Sequence, residues 1–411
     1  MLSRGDLWQR LVSYVTGSFL PQVSYVVLLG GAAFFAATHP KNGWDMLGYI
    51  GVIESWHTSD NNAVHDAAYS AIRHLPEYNE LTGNSPCEPS VFTSYRADVA
   101  QNSAHFVQQL PFYSVKPLYL LAVSVLHRGG LSYPRSFAFL SVIGYFCTGV
   151  ITWMWLSRYW PKWLSTVLGG LLVINPEIVS VGRSTTPDAL ALMLIALGLY
   201  LLMESPNSTS GPVLLLFSIW VRPDALILVG LLLGTSLLLQ VVPSGSFKSS
   251  GVLGKLLPFR VRMRGTWKWL ILCGLALLSY VAIQFFAHPY PWRILFYHSF
   301  VTSLVAPRDA TVSITPQMFL RTLAASARTI LGNSGLAVLL VMGTLGALLH
   351  TVRNYRYVTV AMMVSVPLHF LLYPSDAFRF HVAATFFVPI SLLIACAQYA
   401  SYFRSSEVSV A

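Results

Sequence analysis

Four short stretches of this 411-residue chain place ionisable side chains where an apolar segment begins or ends. In Gly43-Trp44-Asp45-Met46-Leu47-Gly48-Tyr49, a carboxylate opens a run from Met46 to Trp56 with helical apolar spacing. Asp suits a helix N-cap, but a carboxylate in that place could also accept the proton of an attacking hydroxyl. In Arg183-Ser184-Thr185-Thr186-Pro187-Asp188, a Pro-Asp pair starts another apolar run, where an acid is favoured by the helix dipole. With Asp45 it offers a second carboxylate, for orienting a substrate or coordinating a metal. Arg222-Pro223 sets a cation at the edge of an apolar run, either as a snorkelling side chain or as a rigid fork for phosphate oxygens. In Asp376-Ala377-Phe378-Arg379-Phe380-His381, the i, i+3 acid–base pair is either a local ion pair or a functional group at a membrane boundary.

The elements that must position these residues are membrane helices. Hydrophobic residues make up 55% of the chain and charged ones 10%, with a mean hydropathy of +0.59. A soluble domain, whose surface must be solvated, carries about 25% charged residues. The sequence predicts an all-α polytopic membrane protein with about ten transmembrane helices. The spans run Leu11–Ala37 (bent at Pro21), Ser136–Leu156, Trp163–Val181, Ala189–Met203, Pro212–Val221, Ala225–Val242, Trp267–Ala287, Ile330–His350, Val358–Tyr373 and Val382–Tyr402. The short apolar stretch Pro117–Leu126 is expected to lie along the interface. Residues 1–411 read as a single transmembrane domain with two long extracytoplasmic loops, Thr38–Val115 and His288–Thr329, that contain juxtamembrane helices. Loops of that length are uncommon unless they do something.

The net charge of +10 invites a nucleic-acid partner, but the placement of the basic residues argues against one. Lys248, Lys255, Arg260, Arg262, Arg264 and Lys268 crowd one connection between apolar segments, the pattern of a cytoplasmic loop. Most of the sixteen acids fall on the opposite side, so the N-terminus is assigned to the cytoplasm and the acidic stretches to the extracytoplasmic face. Of the four cysteines only Cys87 sits in a long polar loop, so no disulfide framework is suggested. His57, His65, His74 and His105 match no metal-ligand spacing. His288, Tyr290, Tyr297 and His298 read as interfacial residues that could line a polar pocket. No P-loop, Gly-x-Ser-x-Gly or dinucleotide fingerprint is present. No cofactor is assigned, and a divalent cation is compatible with the paired carboxylates.

The order of these motifs resembles the GT-C superfamily of polytopic glycosyltransferases, which draw sugars from lipid phosphate carriers. Trp44-Asp45-x-x-x-Tyr49 is similar to the family's acidic motif in the first outer loop. Lys116-Pro117-Leu118-Tyr119 resembles the Pro-rich start of its second juxtamembrane helix. Thr186-Pro187-Asp188 corresponds in place to the acid of the second outer loop, and Val221-Arg222-Pro223-Asp224-Ala225 resembles the recurrent Arg-Pro-acid step. Asp376-x-x-Arg379-Phe380 resembles the Asp-x-x-Arg-aromatic stretch before a late helix.

The resemblance implies an inverting transfer from a polyprenyl-phosphate sugar to a glycan, lipid or protein acceptor, and the compact build and absence of eukaryotic retention signals suggest a bacterial inner membrane. Asp45 would be the base, assisted by Asp188. Tyr49, Lys116 and Asp376 would bind substrate, and Arg222 or Arg379 would hold the carrier phosphate. The chain departs from larger members in lacking a soluble C-terminal domain and in its rather long first loop. Competing readings are a multi-pass transporter or lipid-linked sugar flippase, a polysaccharide polymerase or ligase with a lipid-diphosphate donor, and a non-catalytic assembly protein. Transporters usually show paired repeats and midplane charges, whereas the charges here gather at one face.

Overall fold

The computed structural model describes residues 19–84, 91–205, 208–241, 266–332, 334–375 and 381–408. These are helical almost throughout, and among them the β-structure is one parallel bridge between Lys41 and Ser184. Among the described residues, five helices are long and apolar enough to cross a membrane: Leu20–Thr38, Tyr133–Leu156, Thr266–Ala287, Asn354–Leu372 and Val382–Ser401. The expected third span is instead a bent pair, Lys162–Val173 and Pro176–Arg183, meeting at 64°. The break has a local cause. Pro176 cannot continue the preceding hydrogen-bond ladder, and the Asn175 side chain caps the new helix by accepting from Glu177 N–H at 2.9 Å.

Four other expected spans are shorter over the described residues, two of them running to the limit of a described stretch. Asp188–Glu204, Ser210–Val221, Ala225–Val241 and Ser334–Leu349 have 17, 12, 17 and 16 residues. At 1.5 Å per residue, the 12-residue helix is about 18 Å long, against a hydrocarbon core of about 30 Å. Ser210–Val221 and Asp188–Glu204 lie against each other through glycine. A Cβ on Gly211 would fall 2.7 Å from the Gly198 carbonyl oxygen, so this backbone approach needs residues without side chains. Gly144, in Tyr133–Leu156, similarly admits the Ala189 backbone, where an added Cβ would sit 2.6 Å away.

The first long connection is itself folded. We label its helices α1 (Asp45–Ser55), α2 (Asn61–Ile72), α3 (Val91–Gln101) and α4 (Ser103–Gln109), followed by a single 3-10 turn at Leu110–Phe112. Helix α5 (Pro117–Arg128) covers the short apolar stretch, with Tyr119, Leu120, Val123 and Ser124 buried and Leu121 and Val125 exposed. Helix α1 is buried over most of its surface, against Val64, Ala68, Phe106, Tyr119 and Phe137. This second core seats the connection on the helix bundle. The second long connection carries α6 (Trp292–Phe300) and the amphipathic α7 (Pro316–Gly332).

The helix ends sort into two sets. At one end Trp155 Nε1, Arg158 Nη1, Tyr159 OH and Tyr355 OH all donate to the Glu204 carboxylate, at 3.1, 2.8, 2.9 and 2.5 Å. At the other end the stretch after the first span pairs with the stretch before Asp188. Lys41 N–H donates to Arg183 O at 2.7 Å and Arg183 Nε donates to His39 O at 2.6 Å.

Candidate active site

The two stretches singled out for their carboxylates are thus joined directly. Gly43 N–H donates to the Thr185 hydroxyl at 3.3 Å, two residues before Asp45 and three before Asp188. Both acids face one cavity of about 690 Å³, also lined by Tyr49, Lys116 and Arg222. Five of the seven predicted site residues therefore share one space, although up to 177 positions separate them in the chain (45 to 222). The other two, Asp376 and Arg379, lie outside the described residues.

Asp45 is the first residue of α1, not its cap. That position belongs to Trp44, which makes no side-chain cap bond. The carboxylate is half-buried in the first turn, where the helix dipole favours a negative charge. Its field reaches two neighbours. Burial first, and then the Asp45 charge, push the Tyr119 hydroxyl well above its ordinary range, and the same charge contributes to the rise at Tyr95. Lys116, the residue before Pro117, donates from Nζ to Tyr49 OH at 2.5 Å, and its ammonium lies 4.6 Å from the Tyr49 ring centroid.

Arg222 neither snorkels nor stands alone as a phosphate clamp. It is 8% exposed and forms an ion pair with Asp188, itself 3% exposed, which also accepts from the Thr186 hydroxyl. It pairs with Asp224 as well, Nε to Oδ1 at 3.0 Å and Nη2 to Oδ2 at 2.5 Å. His369 Nε2 completes the group, 3.4 Å from Asp224. Burial alone would raise the Asp224 carboxyl, but the Arg222 guanidinium and His369 hold it well below the usual carboxylate range. Asp188 and Asp224 therefore fix Arg222 in place, at the lining of the cavity.

Among the described residues no three metal-ligating side chains converge. His65 bonds the Ala100 carbonyl at 3.0 Å and His105 bonds Asp98 at 2.6 Å, so these two loop histidines are engaged within the loop.

Sequence reasoning missed several lining residues. Tyr95, Arg96, Phe112, Asp224 and His369 all face the cavity. Of the four aromatic residues expected as possible pocket lining in the second connection, Tyr290 and His298 do line it. Burial pushes the His298 imidazole down to about 4, and its Nδ1 accepts the Leu304 N–H at 3.0 Å. Neutral His298 therefore carries its proton on Nε2. Part of the lining is apolar, formed by Val115, Leu226, Ile227, Leu295 and Leu372. Compared with family models, curated proteins and solved structures, the chain matches none.

Proposed function

We propose that this chain is an inverting glycosyltransferase of the GT-C type, moving a sugar from a polyprenyl-phosphate carrier to an acceptor hydroxyl. On this reading the short helices and the bent pair complete a layout of about ten membrane segments, with the cavity on the extracytoplasmic face. One observation carries the proposal. A single cavity of about 690 Å³ joins a half-buried carboxylate at a helix start to two cations and an apolar flank. That volume lies within the range typical of ligand sites.

The chemistry divides among these groups. The prenyl tail lies along Leu226, Ile227 and Leu372, while the phosphate faces Lys116, with Arg222 at the same lining. The acceptor oxygen attacks the anomeric carbon as the bond from that carbon to the phosphate oxygen breaks. Asp45 takes the hydroxyl proton, and the phosphate departs on the lipid with the electron pair. Fixed cations in a partly dehydrated site stabilise the charge growing on the phosphate more than water would. Because Arg222 is pre-paired, it contributes with little reorganisation.

The transporter alternative draws on the bent helix pair, a device that transporters also use. It fits less well with a charge cluster at the helix ends. The purified chain, reconstituted in liposomes with labelled polyprenyl-phosphate sugars, separates the two. Release of polyprenyl phosphate together with sugar transfer supports the enzyme. Movement of intact lipid-linked sugar between leaflets, with no turnover of any donor, supports the transporter.

A further inference from the structure

One part of the cavity lining is an aromatic wall built from both long connections. Trp44 and Tyr95 stand with ring centroids 5.7 Å apart, and Tyr95 and His298 follow at 5.6 Å. His298 stacks on Phe112 at 4.5 Å, and Phe112 meets Tyr290 at 4.8 Å. All five rings line the cavity, and they come from four separate parts of the chain. Polar groups border them. Ser299, Ser303 and Arg96 lie on the same cavity surface, and the Nε2–H of His298 is its remaining donor.

We infer that this wall is a subsite for a neutral saccharide, which would serve as the acceptor. The inference rests on the transferase reading for the word acceptor, but not for the binding itself. A pyranose has apolar C–H faces and a rim of hydroxyls, so it matches ring faces bordered by donors and acceptors. The charge on the wall is already answered: Arg96 lies 3.6 Å from Glu80 and 5.7 Å from the Trp44 centroid. A lipid acceptor would call for the apolar lining that the prenyl tail takes on the transferase reading. Trp44 directly precedes Asp45, so a sugar stacked on this wall presents a hydroxyl next to the proposed base.

Binding of neutral oligosaccharides to the full-length chain in nanodiscs, read by saturation-transfer NMR without donor, tests the subsite. The expected result is saturable binding in which ring C–H protons receive the most saturation. Trp44→Leu and Tyr290→Leu should each weaken it by about tenfold, roughly the worth of one well-placed ring contact. The two positions lie at opposite ends of the wall and on different connections, so either variant is informative if the other fails to fold. Absence of saturable binding by the folded wild type, or unchanged affinity in the folded variants, overturns the inference. Saccharide binding without donor turnover would leave the subsite standing and remove the transferase. Transfer to a non-saccharide acceptor, with no saccharide binding, would do the reverse.

Discussion

The Gln109 side-chain amide lies 2.7 Å from the Val305 carbonyl oxygen, joining the first long connection to the second. The same nitrogen donates to Leu304 O at 3.1 Å, and the amide oxygen accepts from Tyr95 OH at 2.9 Å. Gln109 is 1% exposed, so none of these groups has water as a substitute. Gln108 adds to the seam, donating to Asp309 Oδ2 at 3.0 Å and accepting from Arg308 N–H at 3.1 Å. The roof of the cavity is therefore held by hydrogen bonds between segments some 195 residues apart.

Gln109→Leu should cost about 2 kcal/mol, because a buried hydroxyl and two carbonyls lose their partner. The effect should be local. Hydrogen exchange is expected to quicken in residues 301–309 while the helix bundle keeps its protection.

Arg222→Met should be severe, since it leaves Asp188 buried beside Asp224 with no intervening cation. We expect a loss of about 3 kcal/mol or more in detergent unfolding. The triple variant Arg222→Met, Asp188→Asn, Asp224→Asn should recover part of it. A single variant as stable as wild type would contradict the pairing.

His298 gives a pH signature. Buried, it takes a proton only near pH 4, whereas an unfolded histidine does so near 6.5. Between those values the unfolded chain binds more protons, so this contribution is complete above about 6.5 and declines as the pH falls toward 4. The full effect is up to about 3 kcal/mol. Thermal melts of His298→Asn should show a shallower decline across that window than wild type.

Lys116→Gln keeps a donor for Tyr49 but removes the charge proposed to meet the phosphate. In steady-state transfer assays the donor KM is expected to rise by about tenfold or more, with Lys116→Arg much less affected. Equal KM values for wild type and Lys116→Gln would place the phosphate elsewhere.

Much of this arrangement is legible in the sequence, for identifiable reasons. Apolar runs mark the helices, Pro117 marks the start of α5, and the acids that open their runs, Asp45 and Asp188, mark the end of the bundle where the cavity lies. Asn175-Pro176 is a readable break inside what otherwise passes for one span, because Pro and its preceding residue both resist helix. The short helices escape a hydropathy reading, since composition does not reveal where a turn ends. The pairing of Arg222 with Asp188 is invisible for a different reason. Each motif read alone has a local explanation, and only packing of Asp188–Glu204 against Ser210–Val221 brings them together. Tyr95, Arg96 and Gln109 sit in a polar stretch with no motif, and their roles come from contacts with distant segments.

Transfer by the Asp45→Asn protein tests the central claim most directly. Asn preserves size and removes the proton acceptor, so the variant should fold and bind donor like wild type. Its rate of sugar transfer should fall by about a hundredfold or more, the usual scale of a positioned base. A folded Asp45→Asn protein that transfers sugar at the wild-type rate would contradict the account.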